Sequence, residues 1–175
     1  MGGSVDLEAH IRDIQDFPKP GIVFKDITPL LGHGPALGAA VEQLAAPFRD
    51  AGVTKVVGIE ARGFILAAPV AVALGAGFVP VRKAGKLPWE INRQEYDLEY
   101  GTDLLEIHRD AVDAGDRVLV LDDVLATGGT AAATVELIAQ SGAEVLALGF
   151  LIELGFLGGR AKLPGAAITS LITYA

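Results

Sequence analysis

The sequence predicts an α/β fold with a central, mostly parallel sheet and helices on both faces. Three observations lead there. Apolar runs too short for helices recur at 55–59, 117–121 and 144–151. The first two are each followed by a loop containing glycine and then a helical stretch, so strand, loop and helix repeat in that order. The runs are also almost continuously apolar rather than alternating, as strands covered on both faces require. A chain of 175 residues suits one domain with a real core, expected to span 1–175.

Taken in order, residues 5–14 place Leu7, Ile11 and Ile14 at helical spacing, with Ser4 positioned to cap the start. Residues 16–21 hold Pro18 and Pro20 and read as a turn. A helix is expected over 35–51, with Pro35 near its start, Gly52 just past its end and an apolar stripe of Val41, Leu44 and Phe48. The strand at 55–59 leads through Glu60-Ala61-Arg62-Gly63 into a helix ending at Gly75. A second strand follows at 78–81. Residues 83–101 are polar without a clear period, and a loop of that length in a compact domain is usually functional. Residues 104–107 read as a strand at an edge. The strand at 117–121 passes through a glycine loop into a helix ending at Ser141, and strands at 144–151 and 168–173 complete the sheet.

Composition narrows the partners. Fourteen basic against 22 acidic residues leave a net charge of −8, which repels nucleic acid and anionic membrane. Within that acidic background Arg82, Lys83, Lys86 and Arg93 crowd into one segment and ask for an anion. There are no cysteines, so disulfides and thiolate metal sites are excluded, consistent with a cytoplasmic location. His10, His33 and His108 lie far apart in sequence and lack ligand spacing. The apolar stretch at 64–74 is too short to span a bilayer and contains Pro69, and no secretory leader is expected.

The most informative segment is Val118-Leu119-Val120-Leu121-Asp122-Asp123-Val124-Leu125-Ala126-Thr127-Gly128-Gly129-Thr130. Apolar residues bury a central strand, and an acidic pair stands at its carboxyl end, the edge where open α/β sheets bind ligands. Two carboxylates there can accept hydrogen bonds from a sugar diol. The small, glycine-rich run from Ala126 to Thr130 then opens a helix, whose N-terminal amides and dipole favour a phosphate. Thr127 and Thr130 add hydroxyl donors. A monophosphate cup beside a diol clamp matches ribose 5-phosphate. The segment is neither a Walker loop nor a Gly-x-Gly-x-x-Gly turn.

These residues resemble the phosphoribosyl pyrophosphate motif of the type I phosphoribosyltransferases. The resemblance extends over nearly the whole chain. Pro20-Gly21-Ile22-Val23-Phe24-Lys25-Asp26-Ile27, Glu60-Ala61-Arg62-Gly63-Phe64, Arg82-Lys83-Ala84-Gly85-Lys86-Leu87-Pro88 and Leu98-Glu99-Tyr100-Gly101 all fall in the order of the members that act on adenine. It implies a Rossmann-like domain with a small N-terminal hood over 1–34 and a mobile lid over 83–101. The implied reaction transfers 5-phosphoribosyl from phosphoribosyl pyrophosphate to adenine, with Mg²⁺ as cofactor, in a homodimer that binds neither nucleic acid nor membrane.

The resemblance also assigns roles. Asp122 and Asp123 would hold the ribose hydroxyls, directly or through Mg²⁺ carried mainly by the substrate. Ala126, Thr127, Gly128, Gly129 and Thr130 would cradle the 5-phosphate. Ala61, Arg62 and Gly63 would bind pyrophosphate, Arg62 also stabilising it as it departs, and the Glu60–Ala61 peptide is expected to be cis. Lys83 and Lys86 would approach the pyrophosphate when the lid closes on hinges at Gly85 and Gly101, with Tyr100 as a lid contact. Glu99 would manage the purine ring proton. Val23, Phe24 and Lys25 would flank and read adenine, with Leu154 on its other side. Arg82 would lie near the partner subunit. Trp89 is outside the pattern. Two alternatives stay open: the same reaction on xanthine, guanine or hypoxanthine, which backbone contacts to the base would decide, and a non-enzymatic sensor of phosphoribosyl pyrophosphate, which would need a basic face or an added DNA-binding domain.

Overall fold

The computed structural model describes residues 5–98 and 101–175. The chain divides into two compact units, Met1–Gln43 and Leu44–Ala175. The hood expected over 1–34 falls within the first.

In the smaller unit the helix expected over 5–14 is replaced by a single 3-10 turn, Glu8–His10, and a strand, β1 (Arg12–Gln15). The Asp6 carboxylate accepts hydrogen bonds from the amides of Glu8 and Ala9 at 3.1 and 3.3 Å, so a local turn takes the donors a helix would have used. β1 pairs antiparallel with β2 (Val23–Asp26), Ile14 opposite Phe24. The connection is the proline turn expected at 16–21. Asp16 has φ 55°, Phe17–Pro18 is cis, and the Asp16 carboxylate accepts the Gly21 amide at 2.7 Å. A short helix that the periodicity did not reveal, α1 (Thr28–Gly32), starts with Pro29 in its first turn. The expected helix 35–51 is shorter, α2 (Gly34–Ala45), followed by a 3-10 turn over Ala46–Phe48. Pro47 has no amide to continue the ladder, which ends the α-helix there. His10 and His33, distant in sequence, stack with ring centroids 4.2 Å apart because the turns bring them together.

The larger unit is built on a seven-stranded sheet. Its strands are β3 (Lys55–Ile59), β4 (Gly77–Lys83), β5 (Ile91–Asp97), β6 (Thr102–His108), β7 (Arg117–Leu125), β8 (Glu144–Leu154) and β9 (Ile168–Tyr174), in the order β5-β6-β4-β3-β7-β8-β9. Five of them, from β4 across to β9, run parallel. β6 is antiparallel to β4 and carries β5 as a hairpin partner. The segment 104–107 is therefore not the edge: β5 is. The polar stretch 83–101 likewise contains a regular strand. Its sequence, Ile-Asn-Arg-Gln-Glu-Tyr-Asp, is polar on both faces, and an edge strand of that kind gives no apolar period to detect.

Helices α3 (Gly63–Leu74) and α4 (Gly129–Gln140) lie on opposite faces of the sheet. Val57, Val118, Val120, Leu148 and Phe150 pack in one core with Leu137 and Ile138 of α4. The alternate position Gly58 faces α3, where an added Cβ would stand 2.8 Å from that of Ala67. Apolar side chains buried on both faces explain why these strands read as continuous apolar runs, each large one contributing about 1.5–3 kcal/mol. α3 ends at Gly75, with φ 65°.

The strand order fixes where a ligand can sit. From β3 the chain crosses through α3 to β4 on one side, and from β7 through α4 to β8 on the other. The carboxyl ends of β3 and β7 thus flank a topological switch point, the crevice where open α/β sheets bind ligands.

Candidate active site

Two helix N-termini meet this switch point. α4 starts after Gly128, which has φ 81°, and no side chain caps it, so the first amides remain available to an anion. Asp122, Val124, Leu125, Ala126, Thr127, Gly128, Gly129, Thr130, Ala131 and Phe150 line a cavity of about 70 Å³ there, open to solvent. Every residue of the expected phosphate cup is present in it. The cup is narrow because backbones close on each other. A Cβ on Gly128 would stand 2.3 Å from the Gly159 carbonyl oxygen, and one on Gly159 would stand 2.4 Å from that of Ala126. The turn at 158–159 therefore packs directly on the backbone of the cup's loop, a support that sequence reasoning had left out. It is held by Arg160, whose Nε and Nη2 donate to the two oxygens of buried Glu153 at 2.7 Å each, while the Ser170 hydroxyl adds a bond of 2.6 Å.

β7 is longer than expected and runs through the acidic pair to Leu125, because β8 continues beside it: Asp122 pairs with Phe150 and Leu125 with Glu153. The two carboxylates differ. Asp122 lines the cup, and burial first, then the charge of Asp123, pushes its carboxyl well above the ordinary range. Its Oδ1 accepts the Asp123 amide at 2.8 Å. Asp123 is 5 % exposed, and its Oδ2 lies 2.7 Å from Arg62 Nε, a charge contact without hydrogen-bond alignment, so that this buried oxygen accepts no hydrogen bond among the described residues.

The second N-terminus carries Glu60, Ala61, Arg62 and Gly63. The Glu60–Ala61 peptide is cis, as the resemblance implied. Gly63 allows α3 to begin against β7, since a Cβ there would stand 2.8 Å from Asp122 Oδ1 and 3.1 Å from the Leu121 carbonyl oxygen. Arg62 thus reaches the acidic pair from the neighbouring loop.

The cationic cluster meets carboxylates of its own chain. The Glu60 carboxylate accepts Arg82 Nε at 3.3 Å, the Lys83 amide at 3.0 Å and Lys86 Nζ. Burial works to raise the Glu60 carboxyl, but the bonds from Lys86, Lys83 and Arg82 outweigh it and hold it low. Lys83 Nζ pairs with Asp103 at 2.9 Å. Arg93 Nη2 and the Gly85 amide both bond to Glu106, which is buried in β6. Of these carboxylates only Glu60 was named from sequence, as part of its motif and not as a partner of the lysines; Asp103 and Glu106 were not, because pairing across strands leaves no local signal.

Other expected residues fall elsewhere. Glu99 and Tyr100, between β5 and β6 in sequence, lie outside the described residues. Val23, Phe24 and Lys25 are consecutive on β2 in the smaller unit. There Phe24 packs edge-on against Phe17, and Lys25 Nζ donates to Asp13 at 2.7 Å. Leu154 closes β8 in the larger unit, opposite Tyr174. Trp89 is exposed, and nothing in the structure explains it. Among the described residues no helix is long and apolar enough to cross a membrane.

The model of the phosphoribosyl transferase domain matches residues 31–160. The chain is 61 % identical to the adenine phosphoribosyltransferase of Acidothermus cellulolyticus, over 95 % of this chain and 94 % of that one. It is similar to the crystal structure of adenine phosphoribosyltransferase from Rhodothermus marinus, with a TM-score of 0.92, 54 % identity and 96 % of each chain covered. It also matches the Saccharomyces cerevisiae adenine phosphoribosyltransferase complexed with an imino-altritol bisphosphate and adenine, with a TM-score of 0.90 and 41 % identity over 94 % of this chain and 96 % of that one.

Proposed function

Since the chain belongs to the phosphoribosyl transferase domain family, we propose that it transfers the 5-phosphoribosyl group of phosphoribosyl pyrophosphate to adenine, giving AMP and pyrophosphate. It is a pentosyl glycosyltransferase of purine salvage. The observation that carries this reading is the uncapped start of α4 beside the acidic end of β7, one cup for an anion with Asp122 in its lining.

The adenine ring nitrogen attacks the anomeric carbon as the bond to pyrophosphate breaks, with inversion through an oxocarbenium-like transition state. Ala126, Thr127, Gly128, Gly129 and Thr130 hold the 5-phosphate, while Asp122 and Asp123 accept the ribose hydroxyls. Arg62, with the amides of Ala61 and Gly63, receives the departing pyrophosphate, and preorganised donors at that point act where charge develops. Lys83 and Lys86 approach the pyrophosphate as 83–101 closes as a lid, Lys86 by leaving Glu60 and Lys83 with its bond to Asp103 kept, and Tyr100 contacts the ribose or phosphate. Exclusion of water protects the activated sugar from hydrolysis. Glu99 manages the proton of the attacking purine. Val23, Phe24 and Lys25 flank and read adenine, and Leu154 also contacts it, in a single domain spanning 1–175.

The residues fit a magnesium ion held mainly by the diphosphate. Among the described residues no group of three potential ligands forms a cage, while Asp122 and Asp123 offer carboxylate oxygens, one accepting no hydrogen bond. Mg²⁺ when bound neutralises charge on the pyrophosphate. The protein works as a homodimer in the cytoplasm, with Arg82 near the partner. The exposed Ile65 and Val72 of the apolar helix α3 support a face for a second copy, and the net negative charge disfavours nucleic acid.

Radiolabelled purines test the specificity. Adenine alone is expected to become nucleotide in the presence of phosphoribosyl pyrophosphate and Mg²⁺. Faster labelling of xanthine, guanine or hypoxanthine would overturn the assignment of the base.

A further inference from the structure

The hairpin of β5 and β6 is tied to the rest of the sheet by little. Among the described residues only Arg82–Glu106 and Lys83–Leu105 are paired between β4 and β6. Yet the hairpin lies against α4, and the contact centres on Tyr96. The Tyr96 ring and the Asp97 carbonyl oxygen stand 3.6 and 3.4 Å from where a Cβ of Gly129 would be. Tyr96 and Asp103 face each other across the two strands, and the tyrosine hydroxyl donates to Asp103 Oδ2 at 3.2 Å. The same oxygen accepts Lys83 Nζ at 2.9 Å. On its other side the Tyr96 ring is the part of the hairpin laid on Gly129, at the start of the phosphate cup's helix. One line of contact therefore runs from Gly129 in the phosphate cup, through the Tyr96 ring packed on it, and by hydrogen bonds through Asp103 to Lys83 at the end of β4. A further bond, Gln140 Nε2 to Gln94 Oε1 at 3.1 Å, holds β5 at the far end of α4.

We propose that Tyr96 and Asp103 are positioning residues that hold the 5-phosphate cup and the pyrophosphate-side lysine in register, so that both phosphate-bearing ends of one substrate are met at once. This deepens the reading above and rests on it. Phosphoribosyl pyrophosphate carries its two phosphate groups on opposite sides of one ribose. Its affinity depends on the distance between the two receiving sites, whereas ribose 5-phosphate and pyrophosphate each need only one. Lys83 and then the Leu104 amide hold the Asp103 carboxyl below its ordinary range, so it is an anion at neutral pH and accepts both donors.

Tyr96→Phe keeps the ring on Gly129 and removes only the bridge. The expected result is a KM for phosphoribosyl pyrophosphate about 2–10-fold higher, the worth of one net hydrogen bond. The KM for adenine, the melting temperature, and inhibition by ribose 5-phosphate and by pyrophosphate, each added alone, stay at wild-type values. Asp103→Asn raises the same KM, and the double variant rises by less than the product of the two single effects. The inference is overturned if Tyr96→Phe leaves the KM for phosphoribosyl pyrophosphate unchanged, if the separate fragments weaken by the same factor as the whole substrate, or if both KM values rise together with a fall in melting temperature. A wild-type protein that does not consume phosphoribosyl pyrophosphate would instead overturn the proposed function, a result distinguishable from any of these.

Discussion

Replacing Gly128 with alanine perturbs the cup at its tightest point. Gly128 has φ 81°, a region that costs an L residue about 1–2 kcal/mol. The new Cβ would stand 2.3 Å from the Gly159 carbonyl oxygen, about 1 Å inside ordinary contact, and that atom belongs to backbone pinned by the Arg160–Glu153 pair. Forcing such an overlap costs a further ~1–3 kcal/mol. A total of about 2–5 kcal/mol corresponds to a melting temperature lower by roughly 4–20 °C in a chain of this size. The substrate effect is separate. The 126–128 loop can relieve the overlap only by moving about 1 Å, and misplacement on that scale costs ~10²-fold in catalysis. Scanning calorimetry and initial rates of pyrophosphate release measure both. We expect the melting temperature to fall and kcat/KM for phosphoribosyl pyrophosphate to drop about 100-fold, with the KM for adenine near wild type. A variant with unchanged melting and an unchanged KM for phosphoribosyl pyrophosphate would refute the tight, glycine-dependent cup.

The acidic residues give pH signatures of opposite sign. The raised carboxyl of Asp122 means that ionisation opposes folding, so its favourable state is complete below the ordinary 3.8 and is lost as pH rises through the folded value. Asp122→Asn should therefore melt higher than wild type at neutral pH, lose that advantage in acid, and bind phosphoribosyl pyrophosphate less well; a lower melting temperature at pH 7 would contradict this. Glu153 is held below its ordinary 4.5 by Arg160, so its contribution is full above 4.5 and is lost as pH falls through the folded value. Glu153→Gln should lower the melting temperature at pH 7 by roughly 2–8 °C, taking ~1–2 kcal/mol after discounting for the exposed arginine, and flatten the acid limb of the stability curve. Glu99→Gln should reduce kcat by about 10²–10⁴-fold while changing KM little, and unchanged turnover would remove Glu99 from the mechanism.

Legibility in the sequence followed burial. The strand at 55–59 was legible to the residue because both of its faces are covered and its apolar run is unbroken. β7 and β8 were legible at their starts, but their ends were not, since the ladder between them carries polar residues such as Asp122 and Glu153 inside regular strand. β5 was invisible for the same reason: polar residues such as Asn92 and Gln94 occupy even its half-buried face beside Tyr96. The false helix at 5–14 had the right spacing, and its side-chain competitor, Asp6, was overlooked. At the site, the cup and the Arg62 loop could be read because glycines and acids at fixed offsets follow a strand. The Arg160–Glu153 support and the Tyr96–Asp103 bridge join residues from different elements. Only folding brings them together, so no local pattern could have announced them.

The central claim is that the sheet edge at the start of α4 receives a phosphorylated sugar. Crystals soaked with phosphoribosyl pyrophosphate and Mg²⁺ test it most directly. The account predicts the 5-phosphate on the amides of 126–130, the ribose hydroxyls on Asp122 and Asp123, and the diphosphate beside Arg62. A bound sugar elsewhere, with that cup still empty and the two aspartates untouched, would contradict it.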